Sequence, residues 1–209
     1  MSSVSTSENV FRAALMGNGR IRYHTAKWIS AITSPPLTGL AALIFCTAVV
    51  GWEYWHWTAV YAALAMGIPV AYIFWLYQQG IITDLDLSKR EERVRPYATF
   101  VAGALLGWAF LVTIQAPELL TLFGLIVTLQ AILGFCITRS WKISVHCYSA
   151  ANLTIMLLLL LGAMAFPAIL ILFAIAWARI YLNRHTPAQT FAGICLGGLT
   201  TAVVLTIGS

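Results

Sequence analysis

The stretch CYSAANLTIMLLLLLGAMAF, Cys147 to Phe166, holds twenty residues without a charge. A helix rising about 1.5 Å per residue crosses the roughly 30 Å of bilayer hydrocarbon in that length. Polar chemistry brackets it: Ser144-Val145-His146 stands just before, and Arg179 and His185 lie at the end of the apolar run that follows. An arginine or histidine held at hydrocarbon depth is costly unless paired, so such groups point to a site. Working outward, apolar runs recur from Leu37 to Val50, Thr58 to Tyr77, Tyr97 to Ile114, Leu119 to Thr138, Ala168 to Leu182 and Pro187 to Ile207. The 209-residue chain is 60% hydrophobic and 9% charged, whereas about a quarter of a soluble domain is charged. The expectation is an all-α, polytopic transmembrane helical bundle of six to seven spans, with no length left for a second globular domain.

Residues 1–36 are expected to form a basic amino-terminal segment, partly amphipathic at the membrane surface, and residues 37–209 the bundle. Ser7-Glu8 can start a short helix that ends at Gly17-Asn18-Gly19, after which Arg20 to Ile32 approaches the membrane and Ser34-Pro35-Pro36 breaks the chain. No apolar core of a cleavable signal is expected there. Cys46, Cys136, Cys147 and Cys195 fall singly inside apolar runs, without metal or disulfide spacing. Trp52, Tyr54, Trp55 and Trp57, with His56 among them, suit a membrane–water boundary. Gly103-x3-Gly107 and Gly193-x3-Gly197 predict close helix packing.

If the spans alternate, all twelve Lys and Arg residues fall on the amino-terminal side, and Glu53 and Glu118 mark the opposite loops. The positive-inside rule then puts the amino terminus in the cytoplasm; only the cations of the tail, Arg12, Arg20, Arg22 and Lys27, bear on this independently of the loops' own chemistry. Segments Thr83–Pro96, Arg139–His146 and Arg179–Pro187 are separated by two spans each, so they should meet on one face. Cation-bearing loops converging on two histidines describe an anion site. The anion expected is a phosphate carried by something lipid-soluble, with a water-soluble phosphate as the alternative; nothing in the sequence points to nucleic acid.

Three motifs carry a resemblance. Lys89 leads to Arg95-Pro96; Ile143-Ser144-Val145-His146 precedes the quoted stretch; and Ala178-Arg179 is followed by His185, Gln189 and then Thr190-Phe191-Ala192-Gly193. Together they resemble the type 2 phosphatidic acid phosphatase (lipid phosphate phosphatase) superfamily, whose pattern is K-x6-R-P, P-S-G-H and S-R-x5-H-x3-D, and the chain reads as a divergent member. The first motif is one residue short, and Gln189 stands where the family has aspartate. The resemblance implies a phosphatase acting on a lipid or isoprenoid phosphate or diphosphate without metal or cofactor. His185 would be the nucleophile that becomes a phosphohistidine, and His146 the group that protonates the leaving alcohol and later activates water. Lys89, Arg95, Ser144 and Arg179 would bind the phosphoryl oxygens. Gln189 would orient the His185 ring without supplying charge. The partners implied are membrane lipids and the substrate, with a homo-oligomer or a larger membrane complex as possible assemblies.

Plainer readings stand beside these. Thr186-Pro187-Ala188-Gln189 is a capping box with proline at the first helical position, and Ser144 fits a helix N-cap. Ser88 to Glu91 reads as another capping box, and Glu91 and Arg95 are spaced for an ion pair. Arg179, twelve residues past Pro167, stands about 18 Å along its helix and needs a partner. A different class of function, a catalytically impaired subunit of a membrane assembly, follows from the change at Gln189. An intramembrane prenyltransferase, suggested by Thr83-Asp84-Leu85-Asp86, is weaker, because segment Arg139–Tyr148 has no carboxylate to match it.

Overall fold

Proline and glycine set the boundaries of a wholly helical chain, seen here as a computed structural model that describes residues 18–208. Helix α1, Asn18–Ile32, is the first described element, so Asn18 and Gly19 lie in its first turn. The helix expected to start at Ser7-Glu8 lies outside the described residues. Thr33 and Ser34 interrupt the chain, with the Thr33 hydroxyl donating to the Ile29 carbonyl at 2.6 Å. Pro35 and Pro36 then start α2, Pro35–Val50, bent 50° from α1.

Helix α3, Trp52–Gln78, takes the aromatic cluster as its first turns and carries a π-helical turn over Ala63–Gly67, immediately before Pro69. A proline lacks the N–H that an α-helix needs there, and the wider turn accommodates its ring. The released backbone comes up against α4, Glu91–Thr113, at Gly103, where a Cβ would collide with the Leu64 carbonyl oxygen. Helix α5, Glu118–Ser140, returns along α4.

The run Val145–Tyr181 is 37 residues long and would reach about 55 Å if straight. It reverses at Gly162, whose φ of 61° suits glycine, into α6, Val145–Leu161, and α7, Phe166–Tyr181. The Thr154 hydroxyl donates to the Ala168 carbonyl at 3.5 Å across the hairpin, and Cys147 and Ala151 pack against Leu172 and Ile175. Helix α8, Pro187–Ile207, ends the description. Among the described residues five runs are long and apolar enough to cross a membrane, and the bent pair α1–α2 makes six. Six is within the range expected, and the 37-residue run folds back on itself as two helices of 17 and 16 residues.

Leu43, Tyr61, Phe123, Leu120 and Ile126 form the dry centre, while Leu170, Phe173, Phe191, Leu199 and Ile207 face outward. A surface so apolar on helices of this length is that of an integral membrane protein. Both glycine pairs pack helices, as their spacing predicts. Cβ atoms on Gly107 would meet the Tyr61 ring at 2.9 Å, and on Gly193 the Ser144 carbonyl oxygen at 2.6 Å; one on Gly197 would strike the Tyr148 carbonyl. The second pair matters most, because it presses α8 onto the start of α6, where His146 lies.

Candidate active site

The loops after α3, α5 and α7 meet on one face. Arg90 Nη1 donates to the carbonyls of Arg139 and Ser140 at 2.9 and 3.0 Å. Arg93 donates through Nη1 to the Ile143 carbonyl at 3.2 Å and through Nε to Leu87 at 2.8 Å. Lys142 Nζ donates to the Arg184 carbonyl at 2.8 Å. These bonds tie cations of one loop to the backbone of the next, so their charges stay together without cancelling.

Arg179 is the deepest of them, 2% exposed at the end of α7. Its Nη1 donates to Ser30 Oγ on α1 at 2.6 Å and to Asp86 Oδ2 at 3.3 Å, which supplies the partner expected for a cation at that depth. Arg184 Nε lies 3.9 Å from the same Asp86 oxygen, and its Nη1 donates to Ser88 Oγ. Burial alone would push the Asp86 carboxyl up, but Arg179, and beyond it His146 and Arg184, hold it below the usual carboxylate range. Arg93, Lys142, Arg179 and Arg184 therefore gather around one another, and Asp86 is the carboxylate among the described residues in ion contact with Arg179 and Arg184. Lys142 feels the excess: burial first, then Arg93, Arg179 and Arg184, lowers its pKa, against Asp84.

His185 is held by the turn that leaves α7. The Arg179 carbonyl accepts from the backbone N–H of Arg184 at 3.0 Å and of His185 at 3.3 Å, and Asn183 closes the turn at φ 54°. The capping box read from the sequence is present: Thr186 Oγ1 accepts from Gln189 N at 3.3 Å, and Gln189 Oε1 accepts from Thr186 N at 3.2 Å. That same oxygen lies 3.2 Å from His185 Nδ1. Because Oε1 accepts from the backbone N–H, the ring nitrogen facing it must donate, which puts the imidazole proton on Nδ1 and leaves a lone pair on Nε2. Burial, then Arg179, Arg93 and Lys142, pushes His185 down to about 2 against the bond from Gln189. The ring is neutral at pH 7.

Ser144 caps α6, its Oγ accepting from Cys147 N at 3.4 Å, while its own N–H donates to the Gln189 carbonyl at 3.3 Å. His146, in the first turn of α6, is 5% exposed, and its Nε2 has no partner among the described residues. The two motifs are thus joined through backbone.

The first motif folds otherwise. Lys89 is exposed and pairs with Glu92 at 3.4 Å, and Arg95 is exposed with no side-chain hydrogen bond or ion pair among the described residues. The buried arginine is Arg93, 2% exposed. Its position was legible in principle. Arg93 heads the stripe Pro96, Tyr97, Gly103, Ala104, Gly107 and Leu111 that α4 buries. Arg95, two residues on and so about 200° around the helix, turns away. The expected capping box at Ser88 is absent: Ser88 bonds Asp84 at 3.0 Å, Arg90 takes the cap position without a side-chain bond, and Glu91 pairs with Arg90 at 3.5 Å, not with Arg95. Asp84 and Asp86 engage different partners, and no group of three or more His, Cys, Asp or Glu gathers among the described residues.

Against known proteins, the model of the PAP2 superfamily matches residues 95–209, more than half of the chain. The chain belongs to the PAP2 superfamily. Comparisons with curated proteins and with solved structures give no match. The matched segment holds Ser144, His146, Arg179, His185 and Gln189, whereas Ser30, Asp86 and Arg93 come from before it. Membership supports a phosphatase-like function on lipid phosphates in general terms.

Proposed function

We propose that this PAP2 protein hydrolyses a lipid or isoprenoid phosphate or diphosphate through a phosphohistidine at His185. The observation that carries the reading is the neutral His185, its tautomer set by Gln189, among four cations of which Arg93 and Arg179 are buried and Lys142 and Arg184 half-buried. In the first half-reaction His185 Nε2 attacks phosphorus, the bond to the lipid oxygen breaks, and His146 gives that oxygen a proton. In the second, water loses a proton to His146, attacks the phosphohistidine and releases inorganic phosphate. Arg93, Lys142, Arg179 and Arg184, with the amides at the start of α6, hold the phosphoryl oxygens and the charge that develops on them. We assign Arg93 the task that the motif gives to Arg95, and Lys142 that of Lys89.

The test is phosphate release by the detergent-purified protein from a panel of lipid phosphates and diphosphates. Release that disappears in His185→Ala supports the proposal. A second reading, a noncatalytic subunit of a membrane complex, draws on the neutral amide at Gln189 and expects no release from any member of the panel, with assembly intact in His185→Ala. We further propose that the amino terminus and the site face the cytoplasm, in the plasma membrane if the source is bacterial, on the strength of the basic tail.

A further inference from the structure

The deepest cation of the cluster is held from outside the family-matched segment. Ser30 Oγ lies 2.6 Å from Arg179 Nη1, and Ser30 is 7% exposed, one turn after the fully buried Ala26 on the inward face of α1. A hydroxyl buried there costs free energy unless it is bonded, and Arg179 is its partner. The other contact of Nη1, Asp86, is a carboxylate with 40% of its side chain exposed, so an arriving phosphate repels it and can displace it. Ser30 is uncharged and buried, and nothing about an incoming anion dislodges it. A guanidinium is a rigid planar fork. Fixing Nη1 fixes the plane and leaves Nε, a buried donor without a partner among the described residues, available to a ligand.

Helix α1 also lines a cavity next to the cluster, of about 460 Å³ and walled by Tyr23, Lys27 and Ser30 of α1 and by Asp86 and Arg184. We propose that α1 is a working part of the site, with Ser30 the positioning residue that presets Arg179 for a phosphate group; the assignment rests on reading the cluster as a phosphate site.

The experiment titrates inorganic phosphate into the full-length protein in detergent, by calorimetry, and measures lipid-phosphate turnover in parallel. Ser30→Ala should weaken phosphate binding about tenfold, the size expected for one hydrogen bond to a charged group, with KM rising more than kcat falls. Ser30→Thr keeps the hydroxyl and should return affinity to near the wild-type value. Ile29→Ala, which trims a residue packed on the Cys147 cluster, should lower the melting temperature and leave phosphate affinity unchanged. Undiminished affinity in Ser30→Ala, or an equal loss in Ile29→Ala, overturns the assignment, as does a wild type that binds no phosphate. A wild type that binds phosphate in a Ser30-dependent way yet releases none from any lipid supports the Ser30 assignment while ending the catalytic reading.

Discussion

Gln189 does two jobs with one oxygen, closing the capping box of α8 and setting the His185 tautomer. The roles separate by substitution. Gln189→Glu keeps the length and the cap and adds the charge that stabilises an imidazolium, so kcat should hold or rise; Gln189→Asp should hold activity with a lower melting temperature from the shorter cap. Gln189→Ala should lose about 1 kcal/mol of stability with the cap and most of the activity with the tautomer. Equal activity in Gln189→Ala and wild type would refute this role. Arg93 and Arg95 make a second contrast: Arg93→Ala should reduce kcat/KM by about 100-fold or more, the scale of losing a charged transition-state donor, and Arg95→Ala should stay near wild type. The reverse order would restore the motif-based assignment. Protonation gives a third. His185 titrates at an ordinary 6.5 when unfolded and at about 2 when folded, so between those values the unfolded state binds more protons and stability falls as pH falls. Melting temperature should drop on acidification below about 6.5, less steeply in His185→Gln; identical slopes would show that His185 is not held neutral.

At the scale of elements, the site exists because α8 lies against α6 with no side chain between them. A Cβ on Gly193 would come within 2.6 Å of the Ser144 carbonyl oxygen and 3.1 Å of Cys147 Cβ. Backbone cannot give way as a flexible side chain can. Gly193→Ala should therefore cost about 1–3 kcal/mol, as overpacking does, and pull the His185 turn away from His146, with activity lost at temperatures where the fold persists. Gly198→Ala, whose Cβ would meet only Ile155 at 3.5 Å, is the control. Full activity in Gly193→Ala would mean that the helix contact does not set the site.

For the whole molecule, one-sided clustering of cations was readable from alternation alone. Even numbers of spans between basic loops put those loops on one face, and the capping box at Thr186 and the N-cap at Ser144 are local patterns that need no tertiary knowledge. Arg93, to which we assign the phosphate-binding task, was passed over for Arg95 because the motif spacing points to Arg95, although helix period sets the two on opposite sides. Ser30 gave no local signal, and Asp86 drew notice only within the stretch Thr83-Asp84-Leu85-Asp86, not as a partner of Arg179. A serine on an amphipathic helix and an aspartate in a loop acquire meaning only when α1 packs on α7 and the α3–α4 loop folds over both. Orientation is a property of the whole chain. With the four native cysteines replaced, a cysteine at Gln115 should react with a membrane-impermeant maleimide from outside intact cells and one at Ser140 should not; the opposite pattern would place the site on the outer face.

The central claim is a covalent bond between His185 and phosphorus, and the direct measurement is rapid acid-free quenching after mixing the protein with a lipid phosphate labelled in its phosphoryl group. The label should reside on His185 as a base-stable, acid-labile adduct, absent in His185→Ala and longer-lived in His146→Ala. Steady release of labelled phosphate with no protein-bound label, or label mapped to another residue, would contradict it.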